Sequence, residues 1–119
     1  MFLTMMRSKI HQARVTCCDL HYEGSISIDD ALLEASGILP GEQVHVWNMS
    51  NAARIITYAI RADAGSREIG VNGAAARHFQ LGDKVIITSF AQMSEEEARA
   101  FKPVVLLMGE DNQISSIKE

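Results

Sequence analysis

From Thr4 to Cys18 the chain alternates. Ala13, Val15 and Cys17 are apolar and Gln12, Arg14 and Thr16 are polar, the period of two that marks a half-buried strand. In that register Lys9 and His11 share the odd-numbered face with Ala13 and Val15. A lysine on the inward face of a strand is uncommon unless it is paired or functional. The plain alternative, favoured on the strand alone, is that a bulge or the strand's end turns Lys9 outward. Further runs predict strands at Val44 to Trp47, Arg54 to Ile60, Ile69 to Val71, Lys84 to Phe90 and Val104 to Met108. The β-branched run Arg54-Ile55-Ile56-Thr57-Tyr58-Ala59-Ile60 is the strongest of them.

Turn residues separate these runs at Leu39-Pro40-Gly41-Glu42, Ala64-Gly65-Ser66, Asn72-Gly73 and Leu81-Gly82-Asp83, with a loop from Asn48 to Ala53. A short helix is expected with Ser27 as its cap, Asp30 three residues on, an apolar face at Ala31-Leu32-Leu33, and Gly37 at its end. Ser94 and Glu97 form a second capping box, for a helix that stops before Pro103. Ala74 to His78 fits one helical turn. The polar stretch 110–119 reads as a flexible tail. Many short strands, frequent turns and two or three short helices predict a mainly β chain, a compact β-barrel.

Composition narrows the function. At 119 residues the chain is one domain, and 47% of it is apolar, enough for a real core. Net charge is −4 with no basic run, so the overall field opposes nucleic acid and anionic membrane. The N-terminal apolar residues are too few for a signal peptide, and no apolar stretch approaches a membrane span. A cytoplasmic location is expected. Cys17 and Cys18 are adjacent, and Cα atoms ~3.8 Å apart lie below the usual disulfide range. Two reduced thiols in a strand is the reading. His11, His21, His45 and His78 form no metal-binding spacing. No metal is expected.

Candidate chemistry centres on Gly24-Ser25. Most Gly-Ser pairs are turns. A backbone held so that the Ser25 hydroxyl reaches the Gly24 carbonyl would instead exchange the amide for an ester. Elimination and hydrolysis would then leave residue 25 as a pyruvoyl group. Its ketone can take an amine substrate as a Schiff base and accept electrons as a C–C bond breaks, the role a pyridoxal electron sink plays elsewhere. Such chemistry also needs a cation for carboxylates and a proton donor. Arg54 offers a planar fork, and Tyr58, four residues along the same strand and so on the same face, offers a phenol. Asn72-Gly73-Ala74-Ala75 offers an amide and open backbone N–H groups. Each has a bland alternative: Arg54 a solvated strand end, Tyr58 a packing residue, Asn72-Gly73 a hairpin turn.

Taken together these residues carry a resemblance. Lys9, His21-Tyr22-Glu23-Gly24-Ser25, Trp47-Asn48, Arg54, Thr57-Tyr58-Ala59-Ile60, Gly65-Ser66-Arg67, Val71-Asn72-Gly73-Ala74-Ala75-Ala76, Gly82-Asp83 and Glu96-Glu97-Ala98-Arg99 occur in order, from about Met6 to Asp111. The series closely resembles the aspartate 1-decarboxylase family, pyruvoyl enzymes that make β-alanine for pantothenate and coenzyme A. The resemblance implies a double-psi β-barrel, a homotetramer with active sites between neighbouring subunits, and autocatalytic cleavage into chains 1–24 and 25–119. It implies L-aspartate as substrate and a pyruvoyl group from Ser25 as cofactor, with neither a metal nor pyridoxal phosphate. Tyr58 becomes the proton donor. Arg54 and Lys9 meet carboxylates, and Thr57, Gly73, Ala74 and Ala75 contact substrate. Gly24, Ser25, Thr57 and Asn72 serve processing, either spontaneously or with a maturation factor. In a regular strand Thr57 points away from Tyr58, so a bulge, a twist or a backbone contact is needed to reconcile their roles. Two other readings stand beside this one: a non-catalytic small β-barrel binding module, and a pyruvoyl decarboxylase of another small acidic amino acid.

Overall fold

A computed structural model describes residues 1–119. Nine strands form one sheet: β1 (Phe2–Arg14), β2 (Cys17–Asp19), β3 (Ile26–Asp29), β4 (Gln43–Asn48), β5 (Arg54–Ala62), β6 (Ile69–Asn72), β7 (Lys84–Ser94), β8 (Val104–Met108) and β9 (Ile114–Lys118). Helix α1 (Asp30–Ser36) follows β3 and α2 (Glu95–Ala100) follows β7, with 3₁₀ turns at Gly73–His78 and Glu110–Asn112. The sheet order is β2-β6-β3-β5-β4-β7-β1-β8-β9.

That order closes on itself. β1 and β2 are one run of chain interrupted only at Val15 and Thr16, yet β2 is at one end of the order and β1 near the other. The interruption is itself bonded: Val15 N–H donates to Asp83 O at 2.9 Å and Thr16 N–H to Ile69 O at 2.8 Å. The result is a small double-psi β-barrel, mainly β as the turn spacing predicts, with β8 and β9 laid outside β1. Its interior is filled by β-branched residues from facing strands, among them Ile10, Ile26, Ile28, Val44, Val46, Ile69, Val71, Val85 and Ile87, all fully buried.

The expected strand from Thr4 to Cys18 is therefore two strands, and the first carries a change of phase. The β1–β7 register slips between His11 and Ala13, and Gln12 between them takes φ +67°. One extra residue exchanges the faces. Ser8 and Ile10 point inward before the bulge, Ala13 and Val15 after it. Lys9 and His11 stand outside. The bulge alternative for Lys9 is the one the fold adopts.

The first helix is capped differently from expectation. Ser27 is inside β3, and Asp29 is the cap, its carboxylate accepting from Ala31 N–H at 2.8 Å. Tertiary pairing explains the difference: Ile26–Ile28 are paired on both sides, with β5 and β6, and Asp29 with β5, so the helix cannot start earlier. Gly37 ends α1 at φ +78°, and Ser94 with Glu97 caps α2 in a reciprocal box, both as predicted. β7 runs four residues beyond the expected Phe90 because β1 pairs with it as far as Phe2↔Ser94. The stretch expected as a tail forms the second 3₁₀ turn and β9, antiparallel to β8. Its polarity fits the position, since every residue of β9 is exposed. Buried Asn112 anchors it, donating to Arg14 O and Arg67 O and accepting from Arg14 N–H.

Candidate active site

Ser25 lies in a buried, strained step between β2 and β3. It is 2% exposed, and its φ is +85°, with Gly24 before it at +106°. Positive φ is available to glycine at no cost, whereas a serine there is held against its preference by its surroundings. The holder is Asn72, at the end of β6. Its N–H donates to Ser25 O at 3.0 Å, and its side-chain Nδ2 donates to Ser25 Oγ at 3.3 Å and Ser27 Oγ at 3.0 Å. These bonds follow from the antiparallel β3–β6 register, Ile26↔Val71, continued by one step. On the other side β3 runs parallel to β5 with Ile26↔Ala59. Ser25 and Tyr58 each come one residue before that pair. Ser25 is thus bonded to Asn72, one of the residues that the sequence singled out.

The 3₁₀ turn Gly73–His78 continues from Asn72. Gly73 is buried, Ala74 exposed and Ala75 half-buried. The main chain of Gly24 lies directly against Gly73.

Arg54 and Tyr58 share one face of β5, as their spacing requires, and both are exposed. Thr57 is on the opposite face, paired with buried Val44, and the β4–β5 register has no slip. No bulge brings Thr57 round to Tyr58. Lys9 lies across the same outer face as Arg54. One row runs Lys9↔Thr88↔His45↔Ile56 and the next runs His11↔Ile86↔Trp47↔Arg54. Three strand spacings of ~4.8 Å put Lys9 and Ile56 backbones about 14 Å apart, a gap that long cationic side chains narrow.

Two features of this face escape sequence reasoning. The Arg54 guanidinium lies 4.6 Å from the centre of the Trp47 ring, a cation–π contact that orients the fork. The cross-strand partnership Trp47↔Arg54 places it there; the signal was a hairpin around Asn48 to Ala53. Beside it is a depression of about 250 Å³, lined by Trp47, Met49, Ala53, Arg54 and Ile86 among others. The second feature is His11, whose Nδ1 is buried without a partner. Desolvation first, and the neighbouring Lys9 charge second, hold its pKa below the usual 6.5.

This shift has a consequence for stability. The unfolded chain protonates His11 near pH 6.5 and the folded chain resists, so its contribution is complete above 6.5 and is lost as pH falls below it. Melting temperature is expected to fall more steeply from pH 7 to pH 5 in the wild type than in His11→Gln. Parallel curves would refute it.

Within one chain the bonds of Ser25 go to Asn72, not to the outer cations. The serine is buried, whereas Lys9, Arg54 and Tyr58 open outward. Main-chain ties keep the Tyr58 region rigid: Gly41 N–H donates to Ala59 O at 2.7 Å and Ala59 N–H to Glu42 O at 3.0 Å. Arg7 in turn grips the Glu42 carboxylate with two nitrogens, which fastens that turn to β1.

The fold and these residues define a small double-psi β-barrel enzyme. The sequence matches the family model described as aspartate decarboxylase over residues 1–115. It is 60% identical over 114 residues to aspartate 1-decarboxylase of Hyphomonas neptunium, covering 96% of this chain and 97% of that protein. The enzymes of the same name from Maricaulis maris and Stenotrophomonas maltophilia are 56% and 55% identical over 114 and 115 residues, covering 96% and 97% of this chain and 94% and 91% of theirs. The chain belongs to the aspartate decarboxylase family, and it is a carbon–carbon lyase.

Proposed function

We propose that the chain converts L-aspartate to β-alanine and carbon dioxide, using a pyruvoyl group that it makes from its own Ser25. The observation that carries this reading is the Gly24–Ser25 step: a buried serine at φ +85°, bonded by Asn72 at both its carbonyl and its hydroxyl. Strain of this kind costs on the order of 1–3 kcal/mol and collects at functional sites.

In maturation the Ser25 Oγ attacks the Gly24 carbonyl carbon. The C–O bond forms as the C–N bond breaks, and the hydroxyl proton passes to the freed amine. Elimination then breaks the Ser25 Cβ–O bond with loss of the Cα proton, leaving residues 1–24 with a terminal carboxylate. Addition of water and loss of ammonia leave a ketone at the start of 25–119. Asn72 orients Ser25, and Thr57 serves the same processing from the inner face of β5.

A pyruvoyl group at residue 25 supplies an electron sink for the bond that releases carbon dioxide. The chain's own residues do the rest. Arg54, preset by Trp47, donates two parallel N–H bonds to a carboxylate, and Lys9 supplies the second positive charge. Tyr58 delivers a proton to the substrate carbon. Gly73, Ala74 and Ala75 line the substrate with small residues and main-chain N–H groups. Because Lys9, Arg54 and Tyr58 face outward while Ser25 is buried, sites between neighbouring copies of a homotetramer suit the layout: the outer face of one copy meets the Ser25 step of the next. The reaction belongs to pantothenate and coenzyme A synthesis in the cytoplasm, and a maturation factor is an added partner where cleavage is assisted. No helix is long and apolar enough to cross a membrane.

Purified protein incubated with aspartate and borohydride tests the reading by intact mass. Two fragments are expected, with an aspartate-derived mass fixed to the larger. A single chain that persists after long warming, or a larger fragment that gains nothing, would overturn it.

A further inference from the structure

Of the glycines at positive φ, Gly24, Gly41, Gly65 and Gly82 face open space where a side chain would go, and Gly37 comes no nearer than 3.6 Å to an arginine tip. Gly73 differs. At φ +72°, a Cβ on it would lie 2.8 Å from Gly24 Cα, 2.9 Å from Gly24 N and 3.1 Å from Tyr22 O. All three atoms are backbone, so no side-chain rotation relieves the contact.

We propose that Gly73 is a positioning residue for self-cleavage: its missing side chain is the space in which the main chain of Gly24 is held beside Ser25. This rests on the self-cleavage reading and assigns to Gly73 a role apart from substrate contact. Neighbouring residues bracket the scissile bond. Asn72 holds Ser25 through its carbonyl and hydroxyl, and Gly73 receives Gly24 on the other side of the same bond. A methyl at residue 73 must push Gly24 outward by several tenths of an ångström while Asn72 keeps Ser25 in place. The displacement therefore falls between the Ser25 hydroxyl and the carbonyl it attacks. Misplacement of reacting groups by about 1 Å can cost roughly 10²-fold in rate.

The test compares Gly73→Ala with Gly82→Ala in the full chain. Both place alanine at positive φ, +72° and +86°, but only the first meets backbone. Intact-mass time courses from freshly made protein are expected to show wild type and Gly82→Ala splitting at one rate and Gly73→Ala about 10-fold slower or more, with roughly 10²-fold as the bound for a full 1 Å displacement. Melting curves in the Ser25→Ala background, where no cleavage intervenes, give a second measure: Gly73→Ala should lower the melting temperature more than Gly82→Ala. A Gly73→Ala chain that splits as fast as the control overturns the inference alone, as do equal melting losses. A wild-type chain that never splits overturns the self-cleavage reading and this inference with it.

Discussion

Ser25→Ala is expected to leave the chain whole and without decarboxylase activity. Alanine has no oxygen to attack the Gly24 carbonyl, so the bond stays an amide and residue 25 never becomes an electrophile. The loss is not partial. Enzymic accelerations are typically 10⁶-fold or more, and without an electron sink the surrounding binding residues recover little of that. Activity should fall by roughly 10⁶-fold, to the assay floor. The fold should survive. The substitution removes one bond, Asn72 Nδ2 to Ser25 Oγ at 3.3 Å, and that nitrogen keeps Ser27 Oγ at 3.0 Å. Circular dichroism and intact mass on one preparation check both halves. Measurable carbon dioxide release from an uncleaved, folded Ser25→Ala chain would refute the pyruvoyl reading.

The second large effect lies four residues on. Asp29→Ala should destabilise the protein by roughly 2–4 kcal/mol, since bonds to a charged acceptor contribute about 1.5–3 kcal/mol each and do not add fully. Asp29 is 3% exposed, and its carboxylate accepts three backbone N–H groups: Ala31 at 2.8 Å, Gly65 at 3.0 Å and Arg67 at 2.7 Å. It thus joins the end of β3, the start of α1 and the turn leading to β6. Those two strands hold Ser25 against Asn72, so the loss should reach the site as slower maturation. The Asp29→Asn variant keeps one acceptor oxygen and should fall between the two. Thermal melts of the three proteins decide it, and a change below about 0.5 kcal/mol, the size of ordinary surface substitutions, would refute the clamp.

Much of this was legible in the chain. The β-branched run at Arg54 to Ile60 is β5, the Ser94–Glu97 box starts α2, and Gly37 ends α1, because each depends on neighbours within one turn or one strand. The shared face of Arg54 and Tyr58 follows from the strand period alone. The cap of α1 was not legible. Ser27 and Asp29 are both good cap residues, and only the pairing of β3 on both sides decides between them. Nor was β9 legible: its exposed, polar residues have no periodicity to read, and it is a strand because β8 offers a free edge.

The Gly24-Ser25 pair, the candidate cations and the candidate proton donor are properties of the sequence by itself, and so is the barrel class, through strand length and turn spacing. Tertiary structure decided which way those residues face. The bulge at Gln12 exists only because β1 must stay in register with β7, and it puts Lys9 on the side of Arg54. Trp47 stacks on Arg54 because two strands meet, and Gly73 makes room for Gly24 because residues far apart in the chain share one space. Local sequence sets the period of a strand. Its phase, and what lies opposite it, are set by the partner.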